Sequence, residues 1–135
     1  SCFLTNTGCF DIDVEDNVDA LILTGSNLLI NLHMDLLQNQ VTRYCKVLGE
    51  RGTLFFDLDK SLISYCDQDK NVEIIYKEKE FNKNDMYIDM LKGFLSLKER
   101  DKSLIVGIQE ASITIKIIEA MKESAKNKNI SFISY

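Results

Sequence analysis

From residue 17 to residue 79 the apolar and polar residues follow a two-residue rhythm, and from residue 84 the rhythm becomes helical. The alternation is clearest at 28–37. Leu28, Ile30, Leu32, Met34 and Leu36 share one face, and Leu29, Asn31, His33, Asp35 and Leu37 share the other. The preceding run, 18–24, sets Val18, Ala20 and Ile22 against Asp19, Leu21 and Leu23. Gly25-Ser26-Asn27 lies between the two runs and has turn chemistry, which predicts an antiparallel hairpin. Further strands are predicted over 41–48, 53–57, 61–66 and 72–79. Their connectors are Gly49-Glu50-Arg51-Gly52, Asp59-Lys60 and the polar loop Asp67-Gln68-Asp69-Lys70-Asn71.

Beyond Phe81 the period is 3.6. Asn84 is placed to cap a helix whose stripe is Tyr87, Met90, Leu91, Phe94 and Leu97. Gly93 weakens that helix by ~1 kcal/mol relative to Ala. A second helix is expected from Ile108 to Lys126 on the stripe Ile108, Ala111, Ile115, Ile118, Met121 and Ala125, with Ile130-Ser131-Phe132 adding a short edge strand. The expected architecture is α+β and a single domain over 1–135. A mainly antiparallel sheet of about six strands carries two helices packed on one face, and its other face stays open. That open face mixes large apolar residues with charges and is too apolar to stay bare, so it reads as an interface.

Composition narrows the function classes. With 45% hydrophobic and 27% charged residues the chain has globular composition, not that of a disordered segment. No apolar run reaches the ~20 residues of a membrane span, and Ser1-Cys2-Phe3-Leu4 does not resemble a signal peptide. The lack of an initiator Met suggests an excised or processed piece. The net charge is −5, and no Lys or Arg precedes Arg43, which gives no basic face for nucleic acid. The later lysines, Lys116, Lys122, Lys126 and Lys128, answer a helix C-terminus. Cys2, Cys9, Cys45 and Cys66 show no C-x-x-C spacing and His33 is the one histidine, so neither a zinc site nor a disulfide framework is expected. They read as reduced cysteines of a cytoplasmic protein.

Three motifs look chemical at first sight. His33-x-Asp35 places an imidazole and a carboxylate on one strand face, but no nucleophile is tied to them, which favours structural or interface use. Asp11-x-Asp13-x-Glu15-x-Asn17-x-Asp19 has the odd-numbered oxygens of a calcium loop. It fails because Asp16 replaces the turn glycine and Ile22 the bidentate Glu. Gly49-Glu50-Arg51-Gly52-Thr53 leads into a strand, whereas phosphate loops open a helix.

Four blocks in order resemble the C-terminal domain of the Gfo/Idh/MocA oxidoreductases, the family of glucose-fructose oxidoreductase and inositol dehydrogenase. They are Val14-Glu15-Asp16-Asn17-Val18-Asp19-Ala20-Leu21; Gly25 followed by the strand containing His33-Met34-Asp35; Val47-Leu48-Gly49-Glu50-Arg51-Gly52-Thr53-Leu54; and the helical blocks at Asn84-Asp85-Met86-Tyr87 and Glu110-Ala111. The likeness spans about residues 12–132. It implies a parent enzyme whose N-terminal Rossmann domain holds NAD or NADP and supplies a Glu-Lys-Pro lysine, and an Asp and a His from a helix before this region. None of those elements is in this chain, so the fragment alone is expected to hold no cofactor, no catalytic residue and no metal. The resemblance further implies a wall of a pocket for a sugar, sugar nucleotide or cyclitol, and pairing of subunits as a homo-oligomer through the open sheet face. Arg43, Asn84 and Tyr87 match positions near that pocket. A surface ion pair, a helix cap and a core aromatic are their structural alternatives. A non-enzymatic binding or assembly module on the same sheet is the alternative function. A pocket protein of cystatin-like style is a third reading and requires an enclosed cavity between helix and sheet.

Overall fold

The computed structural model describes residues 1–78, 82–95 and 106–133. In chain order its elements are β1 (Cys2–Thr5), β2 (Asn17–Leu23), β3 (Leu29–Asp35), β4 (Tyr44–Gly49), β5 (Gly52–Asp57), β6 (Leu62–Asp67), β7 (Val72–Lys77), α1 (Lys83–Leu95) and α2 (Ile108–Asn127). The class is α+β with antiparallel pairing throughout, as the alternation implied. The expected single sheet is instead two, β1-β2-β3 and β4-β5-β6-β7. The break falls at residues 36–43. There Asp35 Oδ1 accepts the N–H groups of Leu37 (2.8 Å) and Gln38 (2.9 Å), turning the chain off the ladder. Arg43 then bonds to Asp59 and Leu58 instead of to β3.

By contacts the chain forms two compact units, Ser1–Asn39 with Val106–Tyr135, and Gln40–Ile105. In the first unit the β2–β3 hairpin turns on Thr24, whose hydroxyl accepts Leu28 N–H (3.0 Å), while Asn27 takes the positive φ of 62° that this turn requires. The register pairs Val18 with Met34, Ala20 with Leu32 and Ile22 with Ile30, so both apolar half-stripes share one face. β1 joins that sheet with Cys2 opposite Ala20, and among the described residues these two are the buried apolar ones.

α2 packs on β1. At the contact the buried Ser124 hydroxyl accepts the Cys2 N–H (3.1 Å) and donates to Asn129 O (2.6 Å). Cys2 and Leu4 alternate with the β1 residues that bond β2, so their N–H groups face outward and the helix supplies a partner for an edge strand. The half-buried side of α2 is Ile117, Ala120, Met121 and Ala125, from its middle towards its C-terminal end, while Ile108 is 90% exposed. The expected stripe therefore packs only in part. A 20-residue helix is about 30 Å long, more than twice the reach of a four-residue strand. Gly107 N–H is satisfied by Glu110 Oε2 (2.8 Å) at the start of α2, and Lys128 closes its end in the left-handed region.

In the second unit β4 to β7 form a meander. Tyr65 closes it by donating its hydroxyl to Arg51 O and lying over Gly52. Gly52 has φ +153°, and a Cβ there would run into the Cys66 carbonyl oxygen and the Tyr65 ring, so this position admits only glycine. Asp67 holds the β6–β7 turn by accepting Asn71 N–H and Nδ2–H, both at 2.9 Å. Within the second unit, among the described residues, α1 makes no contact with β4–β7 as extensive as that of α2 with β1, so the expectation of two helices packed on one sheet face is corrected. The cap of α1 is also corrected: the Asn82 side chain accepts Asn84 N–H (3.0 Å), which makes Asn82 the capping residue. Residues 130–132 form no strand. Lys79, Phe81 and Leu97 lie outside the described residues.

Candidate functional site

The β1-β2-β3 sheet has a second face, away from Cys2 and Ala20. By register it carries Phe3, Thr5, Asn17, Asp19, Leu21, Leu23, Leu29, Asn31, His33 and Asp35. One end is apolar: Leu23 pairs with Leu29, Leu21 pairs with Asn31, and the three leucines are 67%, 61% and 49% exposed. Phe3, 71% exposed, sits opposite Asp19. The other end is ionic. His33 pairs directly with Asp19 across the hairpin, and its Nδ1 lies 2.8 Å from Asp19 Oδ1. Its Nε2 lies 2.8 Å from Asp35 Oδ2.

A carboxylate offers only acceptors, so an imidazole bonded to two of them must carry a proton on each nitrogen. Holding both bonds at once therefore requires the imidazolium form of His33. Its pKa is raised above the ordinary value, first by the hydrogen bond to Asp19 and then by the one to Asp35. Asp35 is pulled below the ordinary carboxylate value, chiefly by the Gln38 side-chain amide, with help from the N–H groups of Leu37 and Gln38 and from His33. The Asp35 side chain is only 5% exposed, whereas His33 and Asp19 are half exposed. Neither ring nitrogen is free to accept a proton, so this arrangement is a cross-strand clasp and not a general base. Asp19 is the member that the sequence reading omitted. The signal was present: a hairpin centred on Ser26 pairs residues whose numbers add to 52, which sets His33 opposite Asp19.

Arg43 lies just before β4, with its N–H on Asp59 Oδ2 (2.8 Å) and its C=O on Leu58 N–H (2.9 Å). Asn84 and Tyr87 lie in the first turns of α1, and Tyr87 is 59% exposed. None of the three lines either concavity of note. A groove of about 690 Å³ runs along one face of the four-stranded sheet past Val47, Arg51, Leu54 and Tyr65, with no helix residue in its wall. A hollow of about 230 Å³ at the C-terminal end of α2 is lined by Glu123, Ser124, Asn127 and Asn129. Among the described residues no group of three or more His, Cys, Asp or Glu side chains could hold a metal ion, and no helix is long and apolar enough to cross a membrane. All four cysteines are free thiols, and burial pushes the Cys2 thiol up.

The acidic run from Asp11 is absorbed into a loop of a different kind. Asp16 is buried and both its oxygens accept Thr7 N–H (3.0 Å each), with the Thr7 hydroxyl donating as well. Asn6 Nδ2 spans the loop to Ile12 O (3.0 Å) and Val14 O (2.8 Å). Comparison of the chain with protein families, curated proteins and solved structures gave no match.

Proposed function

We propose that this chain is the substrate-side, subunit-pairing domain of a nicotinamide-dependent oxidoreductase acting on a sugar, sugar nucleotide or cyclitol. The observation that carries the reading is the uncovered face of the β1-β2-β3 sheet. Phe3, Leu21, Leu23 and Leu29 there are all exposed and contiguous by register, the signature of a surface that meets another polypeptide. The order of the four resembling sequence blocks supports the enzyme class, and a second copy of the chain is the proposed occupant. Arg43, Asn84 and Tyr87 are the proposed substrate contacts.

The residues present do not fit a dinucleotide. Gly49-Glu50-Arg51-Gly52 leads into strand β5, and the sequence ahead of α1 and α2 carries no glycine-rich phosphate turn. Cofactor binding and the transfer of hydride and proton therefore belong, in this reading, to a separate domain, and the chain by itself is catalytically silent. Sedimentation at tens of micromolar tests the pairing: a self-associating species is expected, and Leu21→Glu should return it to monomer. A wild-type chain that stays monomeric, or one that titrates with NADH, counts against the proposal.

The second reading, a non-enzymatic binding or assembly module, uses the same open sheet face, and the apolar residues exposed on α1 (Met86, Tyr87, Met90, Leu91 and Phe94, all more than half exposed) give it further contact surface. It separates from the first by the coding sequence upstream, where a Rossmann glycine fingerprint and a Glu-Lys-Pro motif would favour the enzyme.

A further inference from the structure

The two edges of the three-stranded sheet are finished differently. At β1 the outward Cys2 N–H is taken by the Ser124 hydroxyl of α2 (3.1 Å). At β3 nothing comparable is present. The bonds from Thr24 N–H to Leu28 O (3.0 Å) and from Leu36 N–H to Asp16 O (2.9 Å) fix the even-numbered residues of β3 as those that bond β2. Leu29, Asn31, His33 and Asp35 therefore turn their N–H and C=O groups outward, and among the described residues none of these groups has a partner. They form a ladder about 20 Å long in which a donor and an acceptor recur about every 7 Å.

Exposed edges of this length are usually blunted by a lysine, a proline or a bulge. The edges of the four-stranded sheet follow that rule. β4 carries Lys46, and β7 carries Lys77 and pairs with β6 through a register shift at Ile63/Ser64. β3 contains no Lys, Arg or Pro and pairs with β2 without a break in register. On its core side Ile30 and Met34 stay exposed beside the half-buried Leu32, an apolar row that one further strand would cover.

Two properties of this edge define its occupant. Alternating amide N–H and C=O groups at strand spacing are matched by the backbone of another extended polypeptide. The second property is charge. Residues 1–42 contain no Lys or Arg, whereas Asp11, Asp13, Glu15, Asp16, Asp19 and Asp35 all lie there. The unit Gln40–Ile105 holds twelve basic and twelve acidic side chains, so the net charge of −5 falls wholly on the unit that carries the open edge. Beside the edge itself, two carboxylates, Asp19 and Asp35, flank the single imidazole of His33. A basic segment is the electrostatic complement of this surface.

We propose that the outer edge of β3 takes up an extended, basic segment of a partner polypeptide as an antiparallel fourth strand. The segment's backbone bonds Leu29, Asn31, His33 and Asp35. Its apolar side continues the row of Ile30, Leu32 and Met34, and its Lys or Arg side lies next to Asp19 and Asp35. Neither face of the sheet takes part, so the contact is independent of the subunit pairing proposed above.

The test is NMR titration of the full chain, at low ionic strength, with the acetylated and amidated peptide Lys-Val-Thr-Val-Lys-Val-Lys. Saturable shifts at residues 29–35 are expected, and the amides of Leu29, Asn31, His33 and Asp35 should gain about tenfold or more protection from exchange. N-methylation at the Thr and the central Lys, whose N–H groups meet β3 in antiparallel pairing, should abolish binding. N-methylation at two of the valines, which face away, should change it by less than about threefold. Exchanging every Lys for Glu should weaken it by about tenfold or more. Asn31→Pro removes one outward N–H and no bond to β2, so this variant should keep the protection of the β2–β3 ladder and lose the peptide. Absence of shifts at residues 29–35 with about 1 mM peptide overturns the proposal. So does binding that survives N-methylation at the Thr and central Lys, which is charge attraction without strand addition. Equal binding of the Glu peptide overturns the basic character of the partner.

Discussion

Ser124→Ala tests whether the helix α2 secures the edge of the first sheet. The substitution removes one oxygen from a site that is 4% exposed. That oxygen accepts the Cys2 N–H at 3.1 Å and donates to the Asn129 carbonyl at 2.6 Å. Alanine fills nearly the same volume, so packing changes little. The Cys2 N–H, 122 residues away in sequence, loses its partner where water cannot replace it. A buried donor left unsatisfied costs about 1–3 kcal/mol. A central value of about 2 kcal/mol corresponds to roughly a 30-fold change in an equilibrium constant. The chain has two compact units, so a single global transition is the wrong readout. Amide hydrogen exchange resolved by NMR is the appropriate one: Cys2 and the β1 amides should exchange roughly 30-fold faster, with the β4–β7 amides unchanged. If protection at Cys2 moves by less than about twofold, the hydroxyl is not what holds β1 to α2 and the account of this contact is wrong.

Gly52→Ala should destabilise the meander by about 3–5 kcal/mol, because a side chain there meets the Cys66 carbonyl and the Tyr65 ring. Gly25→Ala, with nothing within 4 Å of its Cβ, should stay within about 0.5 kcal/mol in the same urea titration. Asn82→Ala removes the cap of α1 and should cost about 1 kcal/mol, read as lower helical content in the chemical shifts of residues 83–95. The His33 clasp makes the β2–β3 hairpin pH-sensitive: its folded pKa is raised, so its contribution is complete below about pH 6.5 and is lost as pH climbs through the folded value. The urea midpoint of the first unit should drop over that window in wild type and stay level in His33→Gln.

Strands β2 to β7 could be read from alternation and turn residues to within a few residues at each end, because side-chain period and turn chemistry are local properties. β1 could not. Cys2–Thr5 has only four residues, and its support comes from the register with β2 and from Ser124. The separation into two sheets was hidden for a related reason: Val41-Thr42-Arg43 continues the alternation, but Asp35 and Asp59 take the backbone groups that a continuous ladder would use. At α1 the sequence offers two asparagines near the start, and side-chain geometry selects Asn82 over Asn84. On the site, His33 and Asp35 were visible as neighbours on one strand, and Asp19 required the hairpin register to be carried through. Arg43, Asn84 and Tyr87 came from the resemblance, and local pattern gave no signal for them.

The first unit is discontinuous: its sheet comes from the beginning of the chain and its covering helix from the end, with residues 40–105 between them. During synthesis the contiguous β4–β7 meander can close as soon as it emerges, since each of its ladders joins neighbours in sequence. β1 must wait with its outward Cys2 amide unpaired until α2 leaves the ribosome, several seconds later at ordinary elongation rates. Through that interval the nascent chain displays an unguarded strand edge, so this is where a trigger-type chaperone or an aggregating neighbour would first find it.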